Sequence, residues 1–352
     1  MIIRWRCRLP RGRGWFFFCL LLVAGVSHGC AAGHALVPRD TAELDPPGAP
    51  PQISWFTPAA SDDSTPLARW RMSVGPPVLL QPAAANRQPH DAITIVSWNT
   101  AVGAADIVGF VQTLPNPRGP LVLLLQEVYR EGPEVPARLA PGLAFAGRLG
   151  GAAGGEALRE IRDVARKLGL AVYYVPSMRN GGADSDEDRG NAILSDLPLA
   201  DLRAMELPFE RQRRVAITAT VAGHTDAGTP WRVRLVSAHL DNLGGVRRAW
   251  IGAEYGRTRQ ARGLTALLQD SEPTILAGDF NTWFGFSDQA YIETARAFPE
   301  TRVDDRRATF HGLLRLDHVF FRLAPGWRAE FHRASSRFGS DHYPLVGTLR
   351  FN

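Results

Sequence analysis

Polar residues suited to metal binding and proton transfer follow or begin several apolar runs of the chain. Such residues stand at six places: Trp98-Asn99, Gln126-Glu127, His239-Leu240-Asp241, Gly278-Asp279-Phe280-Asn281, Leu316-Asp317-His318 and Ser340-Asp341-His342. The apolar runs are typical of buried strands, and strand ends are rigid supports on which functional side chains collect. We therefore expect these six groups to converge on one site.

Each group taken alone has a structural explanation. Gln126-Glu127 fits a solvated strand exit, and a single histidine such as His239 is more often a satisfied core residue. An aspartate beside Gly278 is common in turns, and Asp341 could cap a turn or a helix. Six such groups at six strand ends, in one order along the chain, are nevertheless improbable as coincidence.

The carboxylate and amide oxygens among these groups suit a hard divalent cation. Mg²⁺ prefers such ligands, and Mn²⁺ or Ca²⁺ could take its place. The candidate metal ligands are Asn99, Glu127 and Asp341.

The remaining groups suit the hydrolysis of a phosphoester by an in-line water. Asp279 could orient or deprotonate the attacking water, and a carboxylate such as Asp317 would fix the tautomer of His342. Asn281 and His239 could donate hydrogen bonds to the phosphoryl oxygens as negative charge develops in the transition state.

These motifs, with Gly190-Asn191-Ala192-Ile193-Leu194-Ser195, resemble the ordered motif set of the endonuclease/exonuclease/phosphatase superfamily. That superfamily includes deoxyribonuclease I, abasic-site endonucleases, inositol polyphosphate 5-phosphatases and neutral sphingomyelinases. The resemblance covers about residues 92–352. It implies an α/β (α+β) fold, a four-layer α/β sandwich of two packed mixed β-sheets flanked by helices, with the site at one rim.

The resemblance also assigns roles to individual residues. It implies the catalytic residues His239, Asp279, Asn281, Asp317 and His342 and the metal ligands Asn99, Glu127 and Asp341. One position departs from part of the family, because Ala101 stands where some abasic-site enzymes carry an acidic residue. This departure weakens a DNA-repair interpretation.

Two regions near the motifs could select the substrate. Trp283, followed by Phe284 and Phe286, could stack on a base or enter a lipid interface, or could pack under the next helix. Arg259, in the arginine-rich stretch 242–262, could bind phosphate or lie on a solvated helix face. The acidic loop 179–190 would repel a polyanion if it overhung the site.

The composition fits a folded protein with a neutral body. Of the 352 residues, 45% are hydrophobic and 21% are charged. Residues 1–29 hold five arginines and no acidic residue, which accounts for the whole formal net charge of +5. A neutral remainder lacks the basic field that drives non-specific DNA binding, which argues against a processive nuclease.

The amino terminus is typical of a secretory signal peptide over residues 1–30. An arginine-rich start is followed by an apolar run at 15–26 and by small residues around Cys30. We therefore expect an exported protein, periplasmic or secreted. An uncleaved anchor and a lipid attached through Cys30 are the alternatives.

The rest of the chain divides into two regions. Residues 31–91 are rich in proline and are predicted to form an extended linker or arm, except for an edge strand over 70–74. Residues 92–352 form the predicted domain. Its predicted strands are 93–97, 121–126, 171–175, 192–194, 215–221, 233–238, 274–277, 316–321 and 344–349. Its predicted helices are 105–114, 156–168, 257–269 and 288–297.

Two hypotheses follow. The first is an exported, metal-dependent phosphodiesterase or phosphatase, a monomer without an obligate protein partner. Its phosphate-ester substrate could be a nucleic acid, or a small or lipid phosphate as in a sphingomyelinase-like enzyme. The second is a binding module that has lost catalysis. Such a module should lack at least one of four residues, and all are present: Glu127, Asp279, Asn281 and His342.

Overall fold

The computed structural model describes residues 33–42, 44–45, 52–81, 88–115, 119–143, 158–180, 185–242 and 251–351. The predicted signal region 1–30, with Cys30, lies outside the described residues and stays a prediction. The strands are β1 Leu36–Ala42, β2 Ile53–Pro58, β3 Val78–Leu80, β4 Ala92–Asn99, β5 Leu121–Glu131, β6 Ala171–Arg179, β7 Glu187–Ser195, β8 Ala200–Glu206, β9 Val215–His224, β10 Pro230–His239, β11 Thr274–Asp279, β12 Asp317–Arg322, β13 Arg328–Arg333 and β14 Leu345–Arg350. The α-helices are α1 Ser61–Arg71, α2 Ile107–Thr113, α3 Ile161–Leu168, α4 Ile251–Ala266 and α5 Gln289–Ala297, with a 3₁₀ turn at Gly285–Ser287.

The strands form two mixed sheets of seven strands each. The first sheet has the order β1-β2-β8-β9-β10-β11-β12, and the second has the order β13-β14-β4-β5-β7-β6-β3. The neighbours β4 and β5, β10 and β11, and β2 and β8 are parallel, and the other pairs are antiparallel. The predicted α/β sandwich with two mixed sheets is confirmed.

Three apolar clusters separate the four layers. The central cluster lies between the sheets and includes Ile95, Val122 and Leu235. A second cluster packs α2 and α3 against the outer face of the second sheet, and a third packs α4 and α5 against the outer face of the first sheet. The inner strands are covered on both faces, which is why their sequences are near-continuous apolar runs such as 121–125. Within the described ranges, no helix is both long enough and apolar enough to cross a membrane.

The extended arm predicted over residues 31–91 is wrong for the part that the structure describes. β1 and β2 extend the first sheet, β3 extends the second, and α1 lies between β2 and β3. Ile53 and Trp55 of β2 are buried in the central cluster. The proline-rich composition misled the prediction because edge strands and strand ends tolerate proline: Pro38 lies in the edge strand β1, and Pro58 ends β2.

The edge strand predicted over residues 70–74 is also wrong. Trp70 lies in the last turn of α1, and Val74 follows the helix. Both are buried, whereas Met72 between them is 62% exposed. An apolar spacing of four residues is compatible with a helix as well as with alternation, and here the helix forms.

The other boundaries differ by smaller amounts. The second predicted helix begins at Ile161 in the structure rather than at 156, and residues 156–157 lie outside the described part. The third begins earlier, at Ile251. β8 and β13 were not predicted, because charged residues interrupt both strands, as in the sequence of Arg328–Arg333.

Candidate active site

Strand ends from both sheets meet at one rim of the sandwich. Asn99 at the end of β4 is paired with Gln126 of the parallel β5, and His239 at the end of β10 is paired with Asp279 at the end of β11. β12 runs antiparallel to β11 and begins with Asp317 opposite Asp279. The topology therefore brings polar groups that are distant in sequence to the same rim.

A bulge in β5 places Glu127 at this rim. Pairing of β5 with β7 shifts register between Leu125 and Val128, and Glu127 has a φ of 51°, in the left-handed region. The hydroxyl of Thr100 lies 2.9 Å from the carbonyl oxygen of Glu127 and helps to hold this conformation. Bulges redirect a side chain, and strained residues of this kind cluster at functional sites. Here the Glu127 carboxylate comes within 3.9 Å of Nδ1 of His239.

Gly278 allows β11 to approach β10 closely at the rim. Its φ is 153°, and a Cβ at this position would lie 1.8 Å from the carbonyl oxygen of Ala238. No other residue fits between the two backbones. This close approach sets Asp279 beside His239.

Asp279 is the centre of the site. Its carboxylate accepts hydrogen bonds from Nδ2 of Asn99 at 3.0 Å and from the backbone N–H of Asn281 at 2.9 Å. Its Oδ2 also lies 3.4 Å from Nε2 of His239 and 3.8 Å from Nε2 of His342. One buried carboxylate therefore contacts four of the residues that the sequence predicted for the site.

Burial shifts the pKa of Asp279 into a range useful for proton transfer. Loss of solvation raises the pKa, the positive charge of His342 lowers it, and the nearby Asp317 raises it, which leaves it at about 7. A general base works best when its pKa lies near the operating pH. Asp279 has the position and the pKa of such a base.

His342 is held by a carboxylate and by the backbone. Its Nδ1 lies 2.7 Å from Oδ2 of the buried Asp317, as predicted. Burial lowers the pKa of His342, but Asp317 and Asp279 raise it further, to about 10. The indole N–H of Trp98 donates to the His342 carbonyl at 3.0 Å, and Oγ of Ser340 accepts from its backbone N–H at 3.0 Å. This imidazole is therefore oriented and positively charged.

The three predicted metal ligands present oxygen atoms at the rim. The side chains of Glu127 and Asp341 are 24% and 40% exposed, so both carboxylates are accessible. Asp341 Oδ1 lies 3.9 Å from Nε2 of His342. The amide oxygen of Asn99 accepts from the backbone N–H of Ala101 at 3.0 Å. These hard oxygen donors fit a cation such as Mg²⁺.

A more compact group of possible ligands lies beside them. Ligand atoms of Asp279, Asp317 and His342 all lie within 4.8 Å of one another. However, His342 and Asp317 already occupy each other through a 2.7 Å hydrogen bond, and all three side chains are buried. We therefore interpret this group as an acid–base cluster.

His239 is the second imidazole of the site, and its surroundings are different. A guanidinium N–H of Arg214 lies 3.0 Å from its Nδ1. The Asn281 amide nitrogen lies 3.1 Å from its Nε2 and donates to the Leu240 carbonyl at 3.0 Å. Burial, and then the charge of Arg214, lower the pKa of His239 well below its usual range. This imidazole is neutral.

Two site residues were missed by the sequence prediction, Arg214 and Arg189. Both side chains are buried. Burial lowers the pKa of Arg189, although the nearby charge of Glu127 opposes the shift. Arg214 immediately precedes the apolar run of β9, and Arg189 precedes the Gly190-Asn191 motif. The sequence prediction considered carboxylates, amides and imidazoles beside apolar runs. Both arginines would have been identified if guanidinium groups beside such runs had been included.

The prediction that Arg259 binds substrate is not supported by its contacts. The guanidinium donates to the carboxylates of Asp63 and Glu210 and to the carbonyl oxygens of Gly33 and Phe209. All five N–H donors of this side chain are used by these bonds. Arg259 instead joins α4 to α1. Two other arginines of the stretch 242–262, Arg247 and Arg248, lie outside the described residues.

Trp283 follows the rim residue Asn281 by two residues. Its side chain is 40% exposed, and its indole N–H donates to the Asn242 carbonyl at 3.1 Å. Phe284 is 58% exposed. Phe286, in contrast, packs edge-on against Tyr291 with the ring centroids 5.0 Å apart. Trp283 and Phe284 are therefore the most exposed of the three aromatics.

Comparisons with curated proteins give matches over part of the chain. A UPF0294 protein from Vibrio cholerae is 38% identical over 104 residues, which cover 27% of this chain and 36% of that protein. A UPF0294 protein from Vibrio vulnificus is 37% identical over 109 residues, which cover 30% and 37%. The chain thus matches only about a third of the length of these curated relatives.

Two further matches concern the domain as a whole. The crystal structure of an endonuclease/exonuclease/phosphatase from Beutenbergia cavernae is similar with a TM-score of 0.51 and 19% identity, over 75% of this chain and 72% of that one. At that identity the similarity shows the fold alone. The sequence model of the Endonuclease/Exonuclease/phosphatase family matches residues 96–342, which is more than half of the chain. The protein therefore belongs to the endonuclease/exonuclease/phosphatase family.

Proposed function

We propose that the protein is a divalent-metal-dependent phosphoesterase that uses a water activated at Asp279. The observation that carries this proposal is the position of Oδ2 of Asp279, 3.4 Å from His239 and 3.8 Å from His342. A base flanked by a neutral and a charged imidazole fits proton removal from water next to a phosphoryl group whose negative charge must be stabilised.

Each residue around Asp279 has a separate role in the proposed reaction. Asp279 accepts the proton of the attacking water, for which a pKa of about 7 is well suited. His342, charged and held by Asp317, donates an N–H to a phosphoryl oxygen. Asn281 and His239 donate to the other phosphoryl oxygens, and both are buried, so that water competes little with these bonds.

We assign the metal site to Glu127, Asn99 and Asp341. A bound Mg²⁺, or Mn²⁺ or Ca²⁺, would neutralise charge on the phosphoryl oxygens and on the leaving group. The accessible carboxylate of Glu127 and the lack of thiolate and imidazole ligands among these three residues favour a hard cation.

The proposed substrate is a phosphate ester. A panel of substrates distinguishes nucleic acids, small phosphate esters and lipid phosphates. The purified protein should be assayed on plasmid DNA, p-nitrophenyl phosphate, bis-p-nitrophenyl phosphate and sphingomyelin vesicles, each with Mg²⁺ and with EDTA. We expect hydrolysis of at least one of them that EDTA abolishes and that Asp279→Asn and His342→Asn reduce at least about a hundredfold. Undiminished turnover in Asp279→Asn would refute the assigned role, and inactivity on every substrate would favour the binding-module hypothesis.

We further propose that the protein is exported, on the basis of the arginine-rich start and the apolar run at 15–26. Fractionation of cells that express the full chain should place it outside the cytoplasm. Intact-mass measurement of that fraction distinguishes cleavage near residue 30 from a lipid on Cys30. Recovery of the full-length chain in the cytoplasm would contradict the proposal.

We also propose that the protein acts as a monomer. The site is built from the strand ends of one chain, and no residue of a second copy is needed to complete the group around Asp279. Light scattering coupled to size exclusion should give the mass of one chain, and a stable dimer would contradict this expectation.

A further inference from the structure

Arg214 contacts the catalytic imidazole His239 on the side remote from Asp279. Its guanidinium NH1 lies 3.0 Å from Nδ1 of His239, and both side chains are buried. A guanidinium has five N–H donors and no acceptor, and it stays protonated in proteins. The direction of this hydrogen bond is therefore fixed: Arg214 donates, and Nδ1 of His239 must carry a lone pair.

The contacts of the other ring nitrogen lead to the same tautomer. Nε2 of His239 lies 3.4 Å from Oδ2 of Asp279, an oxygen that accepts, and 3.1 Å from the amide nitrogen of Asn281. With the proton on Nε2, the bonds to Arg214 and Asp279 are both formed, and only the Asn281 contact is unfavourable. With the proton on Nδ1, that N–H would face the Arg214 guanidinium, which cannot accept, and the lone pair of Nε2 would face the Asp279 carboxylate, so neither bond would form. The other carboxylate near Nδ1, that of Glu127, lies 3.9 Å away, beyond hydrogen-bond distance. Bonds that involve a charged partner are about twice as strong as neutral ones, so the first arrangement is favoured.

We propose that Arg214 is a positioning residue that holds His239 as the neutral tautomer with its proton on Nε2. The ring N–H then points toward Asp279 and the space where the phosphoryl group is expected. This inference rests on the proposed function for the role of His239 in catalysis, but the tautomer itself can be measured without substrate or metal.

The two histidines of the site are thereby given opposite properties. A carboxylate contacts Nδ1 of His342 at 2.7 Å, whereas a guanidinium contacts Nδ1 of His239 at 3.0 Å. The carboxylate of Asp317 favours a charged ring that donates from both nitrogens. The guanidinium of Arg214 favours a neutral ring that donates only from Nε2. The site thus holds one imidazolium and one neutral imidazole on either side of Asp279.

Arg214 is itself held in place by its position before β9. The next residue, Val215, begins this strand, and its carbonyl accepts a hydrogen bond from Nδ2 of Asn191 at 2.8 Å. This bond ties the backbone beside Arg214 to β7, which also carries the buried Arg189. The backbone of Arg214 is also fixed on its other side, because the N–H of Leu207 donates to the Arg214 carbonyl at 2.9 Å. The guanidinium consequently reaches His239 from a backbone position that is anchored directly before a strand.

The experiment is a ¹H–¹⁵N correlation spectrum of the histidine rings in the full chain, recorded without metal. The two ring nitrogens of His239 are assigned by their loss in His239→Gln. We expect an unprotonated Nδ1 and a protonated Nε2 in the wild-type protein. A protonated Nδ1 would overturn the proposal, whatever activity the protein has.

Variants separate a positioning role from a structural one. Arg214→Met keeps an unbranched apolar side chain but removes the charge and the N–H donors, Arg214→Lys keeps the charge and an ammonium donor group, and Arg211→Met alters a neighbouring arginine that is exposed. We expect Arg214→Met to lose the tautomer preference and about tenfold to a hundredfold in kcat, with a smaller change in KM, and Arg214→Lys to recover part of both. Arg211→Met should match the wild type.

Two results would contradict the role of Arg214. One is a wild-type tautomer in Arg214→Met, and the other is a loss of kcat that Arg211→Met shares. If Arg214→Met does not fold, the wild-type spectrum and Arg214→Lys still decide the question. Inactivity of the wild-type protein on every phosphoester would refute the proposed function while leaving the tautomer measurement valid.

Discussion

Nδ1 of His342 and Oδ2 of Asp317 lie 2.7 Å apart, inside the protein, at the start of β12 and just before β14. The pair forms because β11 lies between β10 and β12 and because the segment before β14 reaches the same rim. It keeps the imidazole charged: the pKa of His342 is raised to about 10 although burial alone would lower it.

Asp317→Asn removes the negative charge of the Asp317 carboxylate while keeping the shape of the side chain. We expect kcat to fall by at least about a hundredfold, because a neutral amide does not stabilise the imidazolium as the carboxylate does. The measurement is steady-state kinetics on whichever substrate of the panel is hydrolysed. Asp304→Asn, at an exposed position, serves as the control and should keep full activity. Equal activity of the two variants would show that Asp317 is structural.

Gly278→Ala tests the close approach of β10 and β11. The added Cβ would lie 1.8 Å from the Ala238 carbonyl oxygen and would also strain a backbone with a φ of 153°. We expect the free energy of unfolding to fall by about 3 kcal/mol and activity to be lost, since Asp279 follows directly. Gly228 is the matched control, because its φ is 81° but its missing Cβ has no neighbour within 4 Å.

Gly228→Ala should therefore cost only about 1 kcal/mol of backbone strain and leave activity intact. Urea denaturation of both variants gives the comparison. Equal losses of stability would show that the left-handed conformation, and not the contact between strands, explains the need for glycine at position 278.

The meeting of polar residues at one rim could be predicted from the sequence because strand ends are local features. A run such as 274–277 followed by Asp279 can be recognised without knowledge of its neighbours. The bulge at Glu127 and the bond from Arg214 to His239 depend on the pairing of strands from distant parts of the chain, and no local pattern encodes that pairing. The strands β1 to β3 were missed for a related reason, since short strands at or next to the edge of a sheet gain their stability from the strands that they join.

Glu206→Gln tests a buried ion-pair network outside the active site. Its carboxylate accepts from Nε of Arg213 at 2.8 Å, from Arg71 at 2.5 Å and from the Thr57 hydroxyl at 3.0 Å. Burial raises the pKa of Glu206, but Arg213 and Arg71 outweigh it, and the net pKa is below the ordinary value of 4.5. A depressed folded-state pKa contributes stability above the unfolded value, and this contribution is lost as the pH falls through the folded value.

We therefore expect the unfolding free energy of the wild type to fall as the pH drops below about 4.5, with a smaller fall in Glu206→Gln. At neutral pH the variant should lose about 3 kcal/mol, because Arg213 stays buried without its partner. Glu330→Gln, whose side chain is 63% exposed in its pair with Arg350, should follow the wild type at every pH. The same acid dependence in wild type and Glu206→Gln would exclude this network as its cause.

Glu127→Gln tests the assignment of the metal site. Mg²⁺ that binds only the folded state should raise the wild-type unfolding free energy, by about 2.7 kcal/mol at a hundred times its Kd. Without the Glu127 carboxylate the same Mg²⁺ concentration should have little effect. Thermal unfolding with and without EDTA measures this, and Glu300→Gln, at an exposed position, is the control. Stabilisation of Glu127→Gln equal to that of the wild type would place the metal elsewhere.

Trp55→Ala tests whether the amino-terminal strands are part of the domain. Trp55 of β2 is 5% exposed, belongs to the central cluster and lies under the guanidinium of Arg213, 5.9 Å from the ring centroid. Truncation of a buried tryptophan costs about 3–5 kcal/mol, so a marginally stable domain should lose much of its stability. Met72→Ala, at a position 62% exposed, should change stability by less than about 0.5 kcal/mol. If β2 were a detachable arm, Trp55→Ala would leave the unfolding transition of the rest of the chain unchanged, and the first sheet would have to be stable without two of its seven strands.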